Sequence, residues 1–512
     1  MSVAAVVAAL SLLPVAYLLA REGLNPARLL DMLDSPSTVP LIRNTIQLVV
    51  WVTLGTVLVG VLLAVLVTCT DLPWRRFWMV VFTLPLGVPA FVSSYTWVAA
   101  GYEFFPTSTF IYGLRGAVIV LVLSLYPYVY LPTVAALREL DASQEWVARA
   151  LGRGPIQAFV EVTLPRLRRA ISGGALIVAL HMLAEFGALE LLRYRTLTTA
   201  IMQRATVLGS PDSARALSIV LALGALLLLA GDLFIFKSAS TPVRVGGGVA
   251  QERVPWRLGR WSILLLVVSM LVVVVSLGVP LYGMVRGAVE IVSGAEIVAW
   301  DALGAATLTT ATYAVWTAAV VALAALPISL LIVRWPGRLA VAIERSAWVA
   351  HSLPGAVVSL GLVYFAVRWA RPVYQTSTLL VAGYAVLYLP IAIGAQRVGL
   401  ENASETYDRI SRTLGRGAIG TFLSVTLPLA MPGIVVGLML VMLNVSKELT
   451  MTLLLRPTGS HTLASKLWTT TNGEVLDFTA AAPYAITIIL LTAIPTYLLI
   501  RGSLSPSSRG RG

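Results

Sequence analysis

The chain has 512 residues, of which 58% are hydrophobic and only 12% are charged, and its formal net charge is +13. A soluble protein carries about twice that charged fraction, so the composition excludes an ordinary soluble globular class and predicts an all-α, polytopic membrane protein. Membrane topology explains the positive charge better than nucleic-acid binding does, because the arginines lie in short segments between long apolar runs.

The apolar runs predict about twelve membrane-spanning helices. In chain order they cover residues 3–20, 46–68, 77–100, 116–136, 170–190, 215–236, 262–285, 304–333, 346–368, 377–397, 431–454 and 480–500. The first run lacks the basic segment that precedes a cleaved signal peptide, so we interpret it as a retained span. The single cysteine, Cys69, excludes an internal disulfide framework and a thiolate metal cluster.

Arginine and lysine gather in every second connection, which places those connections in the cytoplasm. The basic connections include 138–169, 237–260 and 397–416, whereas the connection 286–303 is mainly acidic and is predicted outside. With an even number of spans, both termini are then cytoplasmic. Residues 237–260 are rich in Gly, Ser and Arg and have no apolar period, so they predict a cytoplasmic linker.

A repeat at a fixed offset is the most informative feature of the sequence. The first copy, residues 137–165, reads LRELDASQEWVARALGRGPIQAFVEVTLP, and the second, residues 400–428, reads LENASETYDRISRTLGRGAIGTFLSVTLP. Both contain R-x-L-G-R-G followed by F-x-x-V-T-L-P, and the differences 415 − 152 and 428 − 165 both give 263. The chain is therefore a duplicated unit, with a first domain at 1–236, a second at 261–502 and a tail at 503–512.

Each copy predicts a short helix, a turn and a second helix. Asp141 and Ser404 occupy matching positions that suit helix N-caps. Gly152 and Gly415 stand where those helices would stop, because glycine adopts the left-handed conformation that a helix end requires. Leu-Pro then marks the expected start of the next helix. Two equivalent polar loops, 137–169 and 398–430, should project from one membrane face, since parallel repeats are related by a two-fold axis along the membrane normal.

This motif resembles the EAA loop of ABC importer permeases, in which E-A-A is followed at fixed spacing by Gly and then by Leu-Pro. The name-giving glutamate is absent from both copies, but Glu145 and Asp408 each lie one position earlier. The resemblance implies two tandem six-helix type I permease domains whose loops form coupling helices that dock into an ATPase subunit. The residues that it assigns to coupling are Glu145, Arg149, Gly152, Leu164 and Pro165 in the first loop, and Asp408, Arg412, Gly415, Leu427 and Pro428 in the second.

The resemblance also implies partners and a cargo. Two copies of an ABC ATPase would bind on the cytoplasmic side, with ATP and Mg held by that ATPase, and a solute-binding protein would deliver cargo outside. The segments that begin at His181 and Asn444 are similar to the fused permeases of ferric-iron importers, where E-F/Y-G and K-E-L-x-x-T-L-L-L-R-P recur. Fused permeases for thiamine and for aminoethylphosphonate are close relatives, so these cargoes remain alternatives.

Three charged residues are candidates for the translocation path: Glu185, Lys447 and Glu448. Glu185 and Glu448 are separated by the repeat offset and lie in or at the edge of predicted spans, where ionisable groups are costly and usually face a cavity or a partner. They could attract a cation weakly along its path. A purely structural role, with a nearby arginine or at a helix end, is the alternative.

Other motifs point to packing rather than to chemistry. Gly433 and Gly437 form a G-x-x-x-G pattern that predicts close helix packing, and Pro89 and Pro354 should kink their spans. The three histidines share no metal-ligand spacing, and the G-x-G-x-x-G at 415–420 follows no predicted strand.

No Gly-Lys dipeptide occurs, so the chain has no P-loop for ATP phosphates. We therefore expect no enzymatic activity in this chain and no cofactor bound by it. A secondary transporter driven by an ion gradient is the rival class, and it predicts inverted repeats rather than parallel ones. A membrane enzyme is the third possibility, but no catalytic constellation supports it.

Overall fold

A computed structural model describes residues 2–22, 35–207, 211–236, 255–294, 298–472 and 478–504. Within these residues the regular structure is helical, apart from an isolated parallel bridge between Thr70 and Trp256. The all-α prediction is confirmed. The predicted linker lies outside the described residues up to residue 254, and the predicted tail lies outside them from residue 505.

The helices follow one another as α1 (Ser2–Glu22), α2 (Val39–Cys69), α3 (Arg75–Val81), α4 (Ala90–Phe104), α5 (Gly113–Leu125), α6 (Pro127–Glu139), α7 (Ser143–Ala150), α8 (Pro155–Ala158), α9 (Leu164–Ala184), α10 (Gly187–Leu191), α11 (Leu197–Thr206), α12 (Pro211–Phe236), α13 (Trp261–Val273), α14 (Val279–Val292), α15 (Trp300–Arg334), α16 (Arg338–Ser352), α17 (Gly355–Trp369), α18 (Ser377–Asn402), α19 (Glu405–Thr413), α20 (Ala418–Thr421), α21 (Leu427–Ser446), α22 (Thr450–Leu455), α23 (Leu463–Thr471) and α24 (Phe478–Leu504).

Eight helical stretches of the described chain are long and apolar enough to cross a bilayer, and two bent helix pairs raise that number to ten. The eight are Val39–Cys69, Gly113–Glu139, Pro155–Ala184, Asp212–Gly231, Trp261–Val292, Trp300–Arg334, Ser377–Asn402 and Ala418–Ser446. The first and last predicted spans coincide with the shorter apolar helices Val3–Leu18 and Ala480–Thr496. The polytopic prediction is therefore confirmed, with eight to ten helices that meet the requirements of a bilayer crossing.

The two predicted proline kinks are complete breaks. The helix before Pro89 meets α4 at an angle of 91°, and α16 meets α17 at 101° across Pro354. Both prolines adopt an extended backbone, with ψ of 141° and 139°, and each stands immediately before the helix that follows. Proline lacks an N–H, so it fits at a helix start and interrupts a helix that would otherwise run through it.

One compact unit contains residues 33–200 and 223–289 and is called here the amino-terminal unit. In it, α2 packs along α5, α6 and α9, and α6 packs on α9. Its core contains the fully buried side chains of Phe82, Tyr126, Tyr130 and Leu167. This core sits directly beneath the first repeated loop, because Phe159 of that loop belongs to the same cluster.

The other compact unit contains residues 1–32, 201–222 and 290–512 and is called here the carboxy-terminal unit. Helices α15, α18 and α21 pack on one another at its centre. Helix α1 packs against α16 and α17 of this unit. There, Gly361 approaches the Pro14 carbonyl oxygen so closely that an added Cβ would lie 2.4 Å from it, and Tyr17 meets the ring of Phe365 edge to face at 5.7 Å.

The compact units differ from the duplicated halves of the sequence at the first helix of each half and at residues 201–222, which belong to the carboxy-terminal unit. Helix α1 belongs to the carboxy-terminal unit, and α13 with most of α14 belongs to the amino-terminal unit. The predicted division at 1–236 and 261–502 describes the duplication, and it remains a prediction about domains. In the folded chain, each compact unit contains the first helix of the other half.

The G-x-x-x-G pattern marks a close helix crossing, as predicted. A Cβ on Gly433 of α21 would lie 2.6 Å from the Ala395 carbonyl oxygen and 2.8 Å from Cα of Gly399 on α18. A Cβ on Gly437 would lie 3.4 Å from Cα of Ala392. The two backbones therefore touch at Gly399 and Gly433, and neither position has room for a side chain.

Replacing Gly433 with valine should push α18 and α21 apart, because the new side chain would clash with backbone atoms that have no rotamer to relieve it. We expect Gly433→Val to lower the free energy of unfolding by about 1–3 kcal/mol. The change is measured from the thermal unfolding midpoint of the purified protein in detergent.

Gly394→Val on α18 is the matched control, because no atom lies within 4 Å of a Cβ at that position. It should unfold close to the wild-type temperature. Equal loss of stability in both variants would contradict the close crossing at Gly433.

Candidate functional site

The first repeated loop contains a short helix that ends in a tight turn at glycine. Helix α7 covers Ser143–Ala150, and Gly152 follows it with φ of +88°. The N–H of Arg153 donates to the Ala148 carbonyl at 3.2 Å, and the N–H of Gly152 donates to the Arg149 carbonyl at 3.0 Å. These two bonds form a Schellman motif, whose left-handed residue is most easily a glycine.

The second loop repeats this geometry. Helix α19 covers Glu405–Thr413, and Gly415 has φ of +85°. Arg416 donates to the Ser411 carbonyl at 3.2 Å and Gly415 donates to the Arg412 carbonyl at 3.0 Å. The predicted role of both glycines as helix stops is confirmed.

The predicted helix starts are also present, with a small shift in the first copy. Ser404 is the N-cap of α19, and its hydroxyl accepts from the N–H of Thr406 at 3.3 Å. In the first copy Ala142 occupies the formal cap position, yet the carboxylate of Asp141 accepts from the N–H of Ser143 at 3.0 Å. Both side chains therefore satisfy the N–H two residues ahead, as capping requires.

The Leu-Pro pair begins the next α-helix, as predicted, since α9 starts at Leu164 and α21 starts at Leu427. The helical backbone already starts earlier, at Pro155 or Ala418, and a π-helical turn, Phe159–Thr163 or Phe422–Thr426, leads into each Leu-Pro. In the first copy the N–H of Leu164 donates to the Phe159 carbonyl, which is the wider π spacing. Since proline has no N–H to donate, the wide turn just before Pro165 lets the helix continue through it, and Pro428 lies in the same setting.

An acidic side chain that is wholly or partly buried connects each short helix to this π-helical turn. The Thr163 hydroxyl donates to Oε2 of Glu145 at 3.0 Å, and Glu145 is only 4% exposed. In the second loop the Thr426 hydroxyl donates to Oδ1 of Asp408 at 2.7 Å. The two bonds are equivalent, because both partners are shifted by 263 residues. A charge-assisted bond of this kind is stronger than one between neutral groups, and it fixes the short helix on the membrane helix.

The second loop has a further anchor in Arg334, the last residue of α15. Its Nη2 lies 2.9 Å from Oδ2 of Asp408 and donates to the Ala403 carbonyl at 2.7 Å. Both charged side chains are largely buried. The sequence patterns did not single out Arg334, Thr163 or Thr426 as site residues, although both threonines stand in the repeated V-T-L-P segment.

Each loop exposes large apolar side chains at the end of its short helix. Leu151 and Leu414 are 78% and 77% exposed, and Val147 and Ile410, one turn earlier, are also exposed. These four residues form two pairs separated by 263 positions, and we call them the apolar tip. Arg149 and Arg412 are exposed beside them on the same helices. Large apolar side chains at the end of two polar loops are a sign of a protein interface.

Glu185 and Glu448 lie where a membrane helix ends and a short helix begins. Helices α9 and α21 end at Ala184 and Ser446, earlier than the predicted spans 170–190 and 431–454. Oε1 of Glu185 accepts from the N–H of Ala188 at 3.0 Å, and Oε1 of Glu448 accepts from the N–H of Met451 at 3.0 Å. Each carboxylate thus caps the short helix that follows, which explains why the acid recurs at the repeat offset.

The second oxygen of each glutamate has a different neighbour. Oε2 of Glu185 lies 3.4 Å from Nε2 of His181, and Oε2 of Glu448 accepts from the Tyr388 hydroxyl at 3.0 Å. Lys447 is half-buried at the end of α21. The helix-end role that the sequence left open for the two glutamates is therefore present, and a role in the translocation path remains a proposal.

The histidines have separate surroundings. Nδ1 of His351 faces the Leu387 carbonyl, and His461 lies beside Arg456. Burial, together with the charges of Arg456 and Lys466, lowers the pKa of His461 and so favours the neutral ring. In the part of the chain that the structure describes, no group of three or more His, Cys, Asp or Glu side chains is placed to hold a metal ion.

Comparison with known proteins places this geometry in a family. Residues 41–236 and residues 324–509 each match the family described as binding-protein-dependent transport system inner membrane component. The chain is 33% identical over 494 residues to the Fe(3+)-transport system permease protein FbpB 2 of Haemophilus influenzae, and the match covers 95% of both chains.

More distant relatives match about a third of the chain. The putative 2-aminoethylphosphonate transport system permease protein PhnU of Salmonella typhimurium is 26% identical over 31% of this chain and 60% of its own. The molybdate/tungstate transport system permease protein WtpB of Pyrococcus furiosus is 22% identical over 37% of this chain and 74% of its own. The chain therefore belongs to the binding-protein-dependent inner membrane transport components, as a multi-pass permease of the ABC importer class that carries the family's domain twice.

Proposed function

We propose that this chain is the membrane permease of an ATP-driven importer of ferric iron, and that its two loops couple it to a separate ATPase. The observation that carries the coupling role is the apolar tip, which is present twice, at one offset, on loops with the same internal bonds. The fused iron permease that the chain resembles along 95% of its length supports the cargo.

The two loops support two ATPase copies, one at each loop. Leu151 and Leu414 would enter a groove on each ATPase, with Arg149 and Arg412 at the rim of the contact. Gly152 and Gly415 end the coupling helices, so that the tip projects from the turn. Because the sequence has no P-loop, ATP and Mg would bind to the ATPase and not to this chain.

Movement of the ATPase would reach the membrane helices through the two acidic side chains. A displacement of α7 acts on Thr163 through Glu145, and a displacement of α19 acts on Thr426 through Asp408. Both threonines immediately precede the Leu164-Pro165 and Leu427-Pro428 pairs at the start of α9 and α21. A hydrogen bond that is shielded from water is stronger than one on the surface, so a displacement of the short helix should move its threonine partner with it.

The charge distribution supports the orientation of the importer. The loops lie in the arginine-rich connections, which the positive-inside rule assigns to the cytoplasm together with both termini. A solute-binding protein would then deliver its cargo on the opposite side of the inner membrane. The family description, binding-protein-dependent transport, supports that partner.

Charged substitutions at the apolar tip should release the ATPase. We expect Leu151→Asp combined with Leu414→Asp to lower co-purification of the ATPase about tenfold or more, because a carboxylate would be desolvated in an apolar groove. The measurement is the amount of ATPase retained per permease after affinity purification. The fold should be unaffected, since both leucines are exposed.

The control is Leu151→Met with Leu414→Met, which keeps an apolar side chain of similar volume and should retain the ATPase. Full retention by the aspartate variant would refute docking at these loops. Uptake driven by a proton or sodium gradient in vesicles without the ATPase would instead favour a secondary transporter.

The cargo is tested by uptake in vesicles that hold the complete complex with its binding protein. We expect ATP-dependent accumulation of labelled Fe³⁺ and none of labelled thiamine or 2-aminoethylphosphonate. Thiamine or aminoethylphosphonate uptake without iron uptake would overturn the cargo and leave the importer class intact.

We also propose that Glu185 and Glu448, with Lys447 beside the second, influence a cation on its path. Replacing both glutamates with glutamine removes the charges but leaves an oxygen that can cap the short helices. We expect iron uptake to fall about tenfold, with an unchanged thermal unfolding midpoint of the complex.

The matched variant replaces both glutamates with alanine, which removes the caps as well and should lower the unfolding midpoint. Normal iron uptake by the glutamine variant would restrict these residues to the capping role.

A further inference from the structure

The two halves of the chain hold different residues at one equivalent position near the loops. Arg334 ends α15 and binds Asp408 of the second loop. The residue 263 positions earlier is Asp71, just beyond α2. An aspartate there cannot form an ion pair with Glu145, which occupies the place of Asp408 in the first loop. Residue 71 therefore cannot give the first loop the ion pair that Arg334 gives the second.

Asp71 instead holds the end of the linker. Its Oδ1 accepts from the N–H of Leu258 at 2.9 Å, and its own N–H donates to the Trp256 carbonyl at 3.1 Å. The N–H of Trp256 donates to the Cys69 carbonyl at 2.8 Å. The two backbone bonds of Trp256 form the isolated parallel bridge between Thr70 and Trp256. Residues 256–258 are thus fastened along the end of α2.

The ring of Trp256 then reaches the first loop. It meets the ring of Phe159 edge to face, with centroids 5.6 Å apart and planes at 87°. Phe159 begins the π-helical turn that ends at Thr163, the partner of Glu145. The indole N–H of Trp256 is buried and has no hydrogen-bond partner among the described residues. The observed contact of the side chain with the first loop is therefore ring packing.

We propose that Trp256 is a positioning residue for coupling: the end of the linker braces the first loop in the role that Arg334 has at the second. The inference rests on the proposed coupling function of the loops. It gives the linker a mechanical role in addition to joining the halves. The brace acts on the membrane-proximal base of the loop, so it controls how α7 movement reaches α9 and not whether the ATPase binds.

The test uses the complete complex in vesicles and measures two rates, cargo uptake and ATP hydrolysis. Trp256→Ala should keep the ATPase bound but lower the uptake per ATP hydrolysed about three- to tenfold, the range that loss of an aromatic contact corresponds to. Trp256→Phe should restore the wild-type ratio, because it keeps an edge-to-face ring and loses only an N–H that bonds to nothing in the described chain. A ratio of rates is insensitive to the amount of folded complex.

A second experiment distinguishes a local contact of Trp256 with the first loop from the covalent connection that the linker makes between the halves. A protease site inserted between Gly247 and Gly248 allows the linker to be cut after the complex has assembled. We expect cleavage to leave the ratio unchanged, because residues 256–258 stay bonded to 69–71 without a continuous linker. A fall on cleavage equal to that of Trp256→Ala would overturn the proposal, as would a wild-type ratio in Trp256→Ala.

The outcomes also separate this inference from the proposed function. Leu151→Asp acts on docking, and Trp256→Ala acts on the passage of movement after docking. If Leu151→Asp with Leu414→Asp releases the ATPase while Trp256→Ala matches the wild-type ratio, the brace is refuted and the coupling loops stand. If the aspartate variant keeps the ATPase, the coupling role itself fails.

Discussion

A hydrogen bond between a carboxylate and a threonine hydroxyl connects each of the short helices α7 and α19 to the membrane helix after it. Without it, α7 and α19 would be short amphipathic helices on flexible connections, since isolated helices of this length are unstable in water. Glu145 and Asp408 stabilise them by bonding to a residue at the base of a helix that the bilayer already orders. The glycine turn and the exposed leucines keep their positions relative to the π-helical turn because this bond holds the two segments together.

The repeat made much of this site predictable from the sequence. Because 263 separates both glycines and both Leu-Pro pairs, the loops, the helix stops and the capping side chains followed from matching residues in two copies. The all-α class and the positions of the helices followed from composition and apolar runs. The family resemblance then rested on spacing, and the glutamate missing from its usual place did not weaken it.

What the sequence did not reveal depends on contacts between distant segments or on small changes of helical spacing. The bond from Thr163 to Glu145 joins residues on either side of a turn, and no periodic pattern in the sequence indicates it. The π-helical turn before Pro165 has the same apolar pattern as an α-helical turn, so the sequence does not distinguish them. In the sequence, Arg334 is one of many arginines between apolar runs, and only the structure shows that it contacts Asp408. The helix ends at Ala184 and Ser446 were missed for a similar reason, since the apolar run continues through the break and only the capping carboxylate marks it.

The location of α1 has a consequence for how the chain folds. Its packing partners lie on α16 and α17, so Pro14 must wait for Gly361 to be synthesised and inserted before the two can meet. Domains generally fold as units during synthesis, yet here α1 docks on helices that are synthesised long after it. Helix α1 therefore lacks these contacts until α16 and α17 have been made. The apolar composition of α1 suits this interval, because a hydrophobic helix in a bilayer exposes no apolar surface to water before its packing partners arrive.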